Sequence, residues 1–131
     1  MRKSMFIAFV GALALFTPVA ANAKSYSNSN GSGSCLTSEA RALLGRIQAR
    51  FGKVEIISTC RKGARIASTG RPSKHASGQA IDFRIPGRKR EVVKWLIANH
   101  DNGGTMTYSD MDHIHVDVGS HFVALNRPSG H

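Results

Sequence analysis

Two separated segments of the sequence each place ionisable groups on one face of a predicted strand. In the first segment, Ile81 and Phe83 face one way and Asp82 faces the other. His75 precedes this strand by a short loop that contains Gly78, which has no side chain to block a close approach. His75 and Asp82 can therefore share a ligand-binding position if a third group lies on a neighbouring strand.

The second segment supplies that third group. Its apolar residues alternate with His113, His115 and Asp117, which therefore share one strand face. Two imidazoles and one carboxylate are a typical ligand set of catalytic zinc, which keeps a fourth position for water, whereas structural zinc usually takes four ligands, often thiolates. Zinc lowers the pKa of that water to about 7 and so supplies a nucleophile near neutral pH. The sequence predicts Zn²⁺ held by His75, Asp82 and His115.

Hydrolysis at such a site also needs a group that carries a proton from the water to the leaving amine. Asp112 lies three residues before His115, and His113 lies two residues before it. We favour His113 slightly, because it shares the strand face of His115. The choice stays open, since a base must lie within hydrogen-bond reach of the proton that it takes.

These two segments together resemble a known family signature. The run from Ser73 to Asp82, SKHASGQAID, resembles the S-x-H-x-x-G-x-A-x-D motif of the zinc D,D-peptidases. Their superfamily also contains lysostaphin-like endopeptidases and the Hedgehog signalling domain. The late histidine motif is matched by HIHVD at residues 113–117. The resemblance extends from about Leu36 to Asn126 and is strongest for the small D-alanyl-D-alanine carboxypeptidase-like members.

The resemblance implies a role for several residues of this chain. The zinc ligands of the family fall on His75, Asp82 and His115. The serine that opens the first motif contacts substrate in the family, which points to Ser73. An upstream arginine commonly steadies the substrate or the developing oxyanion, and Arg61 occupies that place. The implied activity is hydrolysis of amide bonds in the peptide part of bacterial peptidoglycan, by a D,D-carboxypeptidase or an endopeptidase.

One position departs from the family pattern, and one loop adds further candidates. Many relatives carry a glutamate three residues before the last ligand, where this chain has the shorter Asp112; other relatives use a histidine at the position of His113. Arg65 and Arg71 lie in the basic loop that precedes the first motif. They are candidates for binding a substrate carboxylate in bidentate fashion. A solvated basic loop is the competing interpretation.

The helices and strands that the sequence predicts around these residues indicate an α+β fold of the Hedgehog/DD-peptidase type. We expect a small antiparallel sheet with helices at Thr37–Phe51 and Glu91–Asn99 packed on one face and the zinc cleft on the other. The helices are indicated by apolar residues at helical spacing. Strands are predicted at Val54–Ser58, Gln79–Ile85, Thr105–Ser109 and Ile114–Val118.

The N-terminal segment has the layout of a secretory signal. Arg2 and Lys3 precede an apolar run at Met5–Phe16, and Ala21-Asn22-Ala23 forms a cleavage site. The run is too short to span a bilayer comfortably. We expect a signal peptide at 1–23, a flexible leader at 24–35 and a zinc peptidase domain at 36–131. The mature protein is then periplasmic or secreted, with no stable membrane insertion.

The cysteine content predicts a disulfide, and the net charge limits the kinds of binding partner that we expect. In an exported chain, Cys35 and Cys60 are expected to form one disulfide. The net charge is +10, and removal of Arg2 and Lys3 leaves +8. Such a domain is attracted to polyanions, which outside the inner membrane include peptidoglycan peptides and acidic lipid or polysaccharide surfaces. Nucleic acid is not an expected partner, and a metal nuclease ranks low. The main alternative to an enzyme is a non-catalytic, zinc-containing module that binds the cell wall.

Overall fold

A computed structural model of the protein describes residues 35–129, so the predicted signal peptide and nearly all of the predicted leader lie outside the described residues. The fold is α+β, as predicted, with five strands in one sheet of order β1-β2-β4-β3-β5. The elements are α1 (Ser38–Phe51), β1 (Glu55–Ser58), a short 3-10 helix (Lys74–Ser77), β2 (Ala80–Arg84), α2 (Lys89–Asn99), β3 (Gly104–Tyr108), β4 (Ile114–Asp117) and β5 (Phe122–Arg127).

The sheet is mixed, which differs in one respect from the antiparallel sheet that the sequence predicts. The pairs β1–β2, β2–β4 and β3–β4 are antiparallel, but β5 pairs with β3 in parallel. The strand β5 was not predicted from the sequence. Its partner strand is not its neighbour in the chain, so no local hairpin signal marks the pairing.

The first helix forms for reasons that the sequence shows. The Thr37 hydroxyl accepts a hydrogen bond from the Ala40 backbone N–H at 3.2 Å and caps the helix. Glu39 adds negative charge to the first turn, where the helix dipole favours it. Gly52 ends the helix at φ 81°. The buried stripe consists of Ala40, Leu43, Ile47 and Phe51.

The hydrophobic core lies between the two helices and one face of the sheet. Ile81 and Phe83 of β2 and Ile114 and Val116 of β4 are fully buried there, against residues of α1 and α2. Because successive residues of a strand point to opposite faces, the side chains between these apolar residues face away from the helices. That opposite face carries Asp82 and His115, two of the predicted ligands.

Side-chain contacts link α1 to both ends of α2. The Arg46 side chain of α1 donates to the Asn99 carbonyl at the end of α2 at 2.5 Å. At the other end, the Arg88 side chain donates to the Phe51 carbonyl at 3.3 Å. The Phe51 and Trp95 rings meet edge to face with centroids 5.5 Å apart. Neither helix within residues 35–129 has the length and apolar character needed to cross a membrane.

The predicted disulfide between Cys35 and Cys60 is present and joins the entrance of α1 to the loop after β1. The first motif packs against the same point, because the Thr37 backbone N–H donates to the Gly78 carbonyl at 2.9 Å. Gly78 has φ 71°, and a Cβ there would overlap the carbonyl oxygen of Cys35. Both observations require glycine at this position of the motif.

Candidate metal centre

The three predicted ligands meet in space. His75, Asp82 and His115 each offer a ligand atom, and these atoms lie within 4.8 Å of one another. Asp82 and His115 are directly opposite in the β2–β4 register, which is the neighbour relationship that the sequence analysis required. All three residues are buried, with exposed fractions of 2%, 7% and 8%.

His75 is oriented by the peptide backbone and by the short helix that carries it. The Ser73 hydroxyl caps this helix by accepting a hydrogen bond from the His75 backbone N–H at 3.3 Å. The His75 ring donates from Nδ1 to the Thr59 carbonyl at 2.5 Å, since a carbonyl can only accept. This fixes the tautomer and leaves Nε2 as a bare electron pair. Nε2 is buried, makes no hydrogen bond within the described structure and lies 3.1 Å from the Asp82 Oδ2.

His115 lies between two carboxylates. Its Nδ1 is 2.8 Å from the Asp82 Oδ1, and its Nε2 is 3.2 Å from the Asp117 Oδ2. Burial opposes the charged imidazole, but hydrogen bonds to Asp117 and Asp82 outweigh it and raise the pKa of His115 to about 9. Burial likewise opposes ionisation of Asp82, yet the hydrogen bond from His115 and the close His75 ring hold its pKa well below the usual range.

Asp117 is held by contacts from several parts of the chain. The Lys74 ammonium donates to its Oδ1 at 2.6 Å and to the Val118 carbonyl at 2.8 Å. The Gly104 backbone N–H donates to the same Oδ1 at 3.0 Å. Burial favours the neutral acid, but hydrogen bonds from His115 and Lys74 lower the pKa of Asp117 below its ordinary value. Asp117 is therefore an ionised, fixed partner of the His115 ring.

Arg61 lies at the solvent side of the cluster. Its guanidinium is 3.8 Å from the Asp82 Oδ2, and its side chain is 56% exposed. Its backbone N–H donates to the His75 carbonyl at 2.9 Å, which ties the loop after β1 to the first motif. Arg61 therefore lies beside the ligands, with its charge accessible to a molecule that approaches from solvent.

The two candidate proton carriers have different surroundings. His113 is half-buried, and its ring lies 5.5 Å from the Tyr108 ring, centroid to centroid. Burial lowers the pKa of His113, and the nearby charge of Asp82 partly opposes this effect. Asp112 is exposed. The hydrogen bond to the Glu55 carboxylate raises the pKa of Arg84, and the charge of Asp112 adds to this effect. The charges of the ligand cluster therefore act on His113, whereas the charge of Asp112 acts on an exposed arginine.

The other predicted substrate-binding residues make contacts that stabilise their own segments. Ser73 is half-buried next to His75 and serves as a helix cap. Arg71 is exposed, and only its backbone makes hydrogen bonds among the described residues. The Arg65 side chain donates to the Gly70 carbonyl at 2.9 Å and so stabilises its own loop. Substrate binding by Ser73 and Arg71 stays a prediction.

Three groups that position the ligands were not predicted from the sequence. The Thr59 carbonyl orients His75, the Lys74 ammonium holds Asp117, and the buried His100 ring bonds to the Asp117 carbonyl at 2.8 Å. A backbone carbonyl leaves no trace in residue types. Lys74 stands inside the first motif at a variable position, and only the fold shows where its side chain ends.

The donor set fits a divalent cation with nitrogen and oxygen ligands. The bare Nε2 of His75 faces a carboxylate oxygen of Asp82, and two electron pairs at that distance require a cation or a proton between them. The Nδ1 of His115 reaches the other oxygen of the same carboxylate, and its far nitrogen bonds to Asp117. A carboxylate behind a ligand imidazole is the usual arrangement around protein-bound metals. Fold and site together define a candidate metal centre of the three-ligand type that catalytic zinc uses.

Comparison with known proteins leads to the same class. The family model for peptidase M15 matches residues 16–117, a span that contains both motifs and all three ligands. The chain belongs to the peptidase M15 family, whose members are zinc D-alanyl-D-alanine carboxypeptidase-like enzymes, and this confirms the resemblance found in the sequence. Neither the curated proteins nor the solved structures gave a match.

Proposed function

We propose that the protein is an exported zinc peptidase that hydrolyses amide bonds in the peptide part of bacterial peptidoglycan. The observation that carries the proposal is the convergence of His75, Asp82 and His115, with one imidazole nitrogen left bare beside a carboxylate. Family membership supports peptide hydrolysis. Zinc is favoured over harder cations by the two imidazole ligands.

Bound zinc would polarise the scissile carbonyl and lower the pKa of a water molecule. The protein's own residues supply the other requirements. The exposed guanidinium of Arg61 lies next to the ligands and would neutralise charge that develops on the carbonyl oxygen. His113 would take the proton from the water and donate it to the leaving amine. Its half-buried position beside Tyr108 supports this assignment over the exposed Asp112.

Export rests on residues 1–23, whose charged start, apolar run and Ala-Asn-Ala site are typical of secretory signals. The disulfide between Cys35 and Cys60 supports an oxidising compartment. A peptidoglycan peptide with several free carboxylates would also be attracted to the positively charged loop beside the ligands.

The test uses protein spanning residues 24–131, loaded with zinc, and purified muropeptides analysed by mass spectrometry. Amide hydrolysis gives fragments that together gain one water. The released piece distinguishes a carboxypeptidase, which frees one terminal residue, from an endopeptidase, which divides a cross-link. Folded, zinc-loaded protein that leaves every muropeptide intact would exclude the enzyme and favour the cell-wall-binding module.

The base is tested by His113→Gln and Asp112→Asn, which keep size and polarity. We expect His113→Gln to lower kcat at least roughly 100-fold, the contribution of a typical general base. Asp112→Asn should have a small effect. The reverse order would assign the proton transfer to Asp112.

A further inference from the structure

We infer that the paired helices form a docking surface for a membrane rich in anionic lipids, on the side of the fold opposite the metal centre. The surface is defined by Arg46, Arg50, Arg88, Arg90 and Lys94, and we call it the basic helical surface. It has no role in the proposed hydrolysis, and the inference does not depend on that proposal.

Contacts between the helices place three of these cations, Arg46, Arg50 and Arg88, at the junction of α1 and α2. Arg46 reaches the end of α2 through the Asn99 carbonyl, and its guanidinium lies 5.9 Å from the centre of the Trp95 ring. The guanidinium groups of Arg50 and Arg88 lie 5.3 and 5.1 Å from the centre of the Phe51 ring. These three guanidinium groups thus lie against two aromatic rings, which holds their charges close together.

The charge of this surface is poorly compensated. Across residues 35–129, Glu91 is the one carboxylate that forms an ion pair with any of the five cations, at 2.8 Å from Arg88. Arg88, and at longer range Arg50, hold the pKa of Glu91 below its usual value. The side chains of Arg90 and Lys94 are exposed and make no ion pair or hydrogen bond to the described part of the chain. A depression lined by Gly87, Arg88, Arg90, Glu91 and Lys94 lies at the start of α2.

An apolar side chain within the charged stripe favours a lipid surface over a soluble polyanion. Arg90, Lys94 and Ile97 follow one another at i, i+4 and i+7 along α2 and therefore share a stripe. Ile97 is 47% exposed, which is a large fraction for isoleucine. Cations beside an exposed apolar residue suit the boundary between lipid headgroups and acyl chains, whereas a soluble polyanion would use the cations alone.

The orientation is compatible with the metal centre. The helices cover one face of the sheet, and the ligands lie on the other face. A molecule bound to lipid through the basic helical surface would therefore present Arg61 and the ligand cluster away from the membrane. Such binding is peripheral and reversible, because it uses side chains of a folded surface and no spanning segment.

The experiment measures cosedimentation of the 24–131 protein, which contains the whole described fold, with phosphatidylcholine vesicles that contain or lack phosphatidylglycerol. We expect binding to the phosphatidylglycerol vesicles only, and loss of that binding at high salt. Arg90→Glu plus Lys94→Glu should weaken binding by at least roughly 25-fold, since each cation near an anionic surface contributes about fivefold. Ile97→Ser should weaken it by roughly fivefold.

The matched control is Lys62→Glu plus Arg71→Glu, which makes the same charge change in the loop beside the metal ligands. It should retain most of the vesicle binding, and unchanged zinc titration and thermal unfolding would show that both double variants are folded. Equal loss in both double variants would overturn the inference, because binding would then follow net charge alone. Binding to inorganic polyphosphate as strong as to vesicles, with no effect of Ile97→Ser on either, would also overturn it and indicate a soluble polyanion as the partner.

Discussion

The Lys74 ammonium lies 2.6 Å from the Asp117 carboxylate and thereby joins the two halves of the metal centre. Lys74 directly precedes the ligand His75, and Asp117 follows the ligand His115 by two residues on β4. Through Asp117 the lysine acts on the His115 ring, whose Nε2 is 3.2 Å from the second carboxylate oxygen. Lys74 is therefore a positioning residue for a ligand that it does not touch.

Lys74→Met should weaken zinc binding by roughly 10–100-fold, the usual effect of losing an outer partner of a metal ligand. Without the ammonium, Asp117 loses a fixed position and the His115 ring loses part of its orientation. Zinc Kd is measured by competition with a chelator. Lys94→Met removes an exposed lysine with no partner in the described structure and should leave Kd unchanged. A Kd for Lys74→Met equal to that of the control would show that Asp117 needs no lysine.

Zinc should stabilise the protein through the three ligands. A ligand that binds only the folded state at about 100 times its Kd adds about 2.7 kcal/mol, which raises Tm by roughly 10–20 °C in a domain of this size. Asp82→Asn keeps the shape but removes the anionic ligand, so the zinc-dependent shift should disappear. Asp101→Asn, in the turn after α2, should retain it. Thermal unfolding with zinc and with a chelator checks both variants.

The pKa of His115 predicts how metal binding depends on pH. In the metal-free protein that pKa is raised to about 9, so below this pH a proton must leave His115 when a metal takes its Nδ1. Apparent zinc affinity should rise about tenfold per pH unit between ~7 and ~8.5. Calorimetry in buffers of different ionisation enthalpy should show release of about one proton per zinc near pH 7. Binding with no proton release would mean that His115 is already neutral.

The same group makes the metal-free protein sensitive to alkali. Because the folded-state pKa of His115 lies above its ordinary value of 6.5, the protonated imidazole stabilises the fold fully below that value. That contribution is lost as the pH rises towards about 9. The free energy of unfolding, measured by urea titration with a chelator present, should fall over this range. His115→Gln should abolish this pH dependence.

Much of the centre could be predicted because it depends on local patterns. Strand alternation separated Asp82 and His115 from the apolar residues of β2 and β4, and the motif spacing supplied His75. The orientation of these ligands could not be predicted, since it depends on the Thr59 carbonyl and the Lys74 ammonium, which only the folded chain brings near. The strand β5 was missed because its parallel pairing with β3 is a long-range relationship.

The disulfide should stabilise the fold and also support the metal centre. Cys35 and Cys60 are 25 residues apart, and closing a loop of this length restricts the unfolded chain by about 3 kcal/mol. Cys60 follows Thr59, whose carbonyl orients His75. Cys35→Ser plus Cys60→Ser should therefore lower the free energy of unfolding and weaken zinc binding several-fold. Loss of stability with an unchanged zinc Kd would limit the disulfide to a role in folding.

Gly78 should be far less tolerant of substitution than another glycine with the same backbone conformation. Gly78 and Gly87 have φ of 71° and 74°, so alanine carries a similar left-handed penalty of about 1–2 kcal/mol at both positions. At Gly87 a new Cβ meets nothing within 4 Å, whereas at Gly78 it overlaps the Cys35 carbonyl. Relieving that overlap must separate the first motif from the entrance of α1, where the Thr37 N–H bonds to the Gly78 carbonyl. Gly78→Ala should therefore destabilise the protein by several kcal/mol and weaken zinc binding, and Gly87→Ala by only about 1 kcal/mol with zinc binding intact. Equal losses in urea unfolding would show that backbone conformation alone, without the contact to Cys35, fixes glycine in the motif.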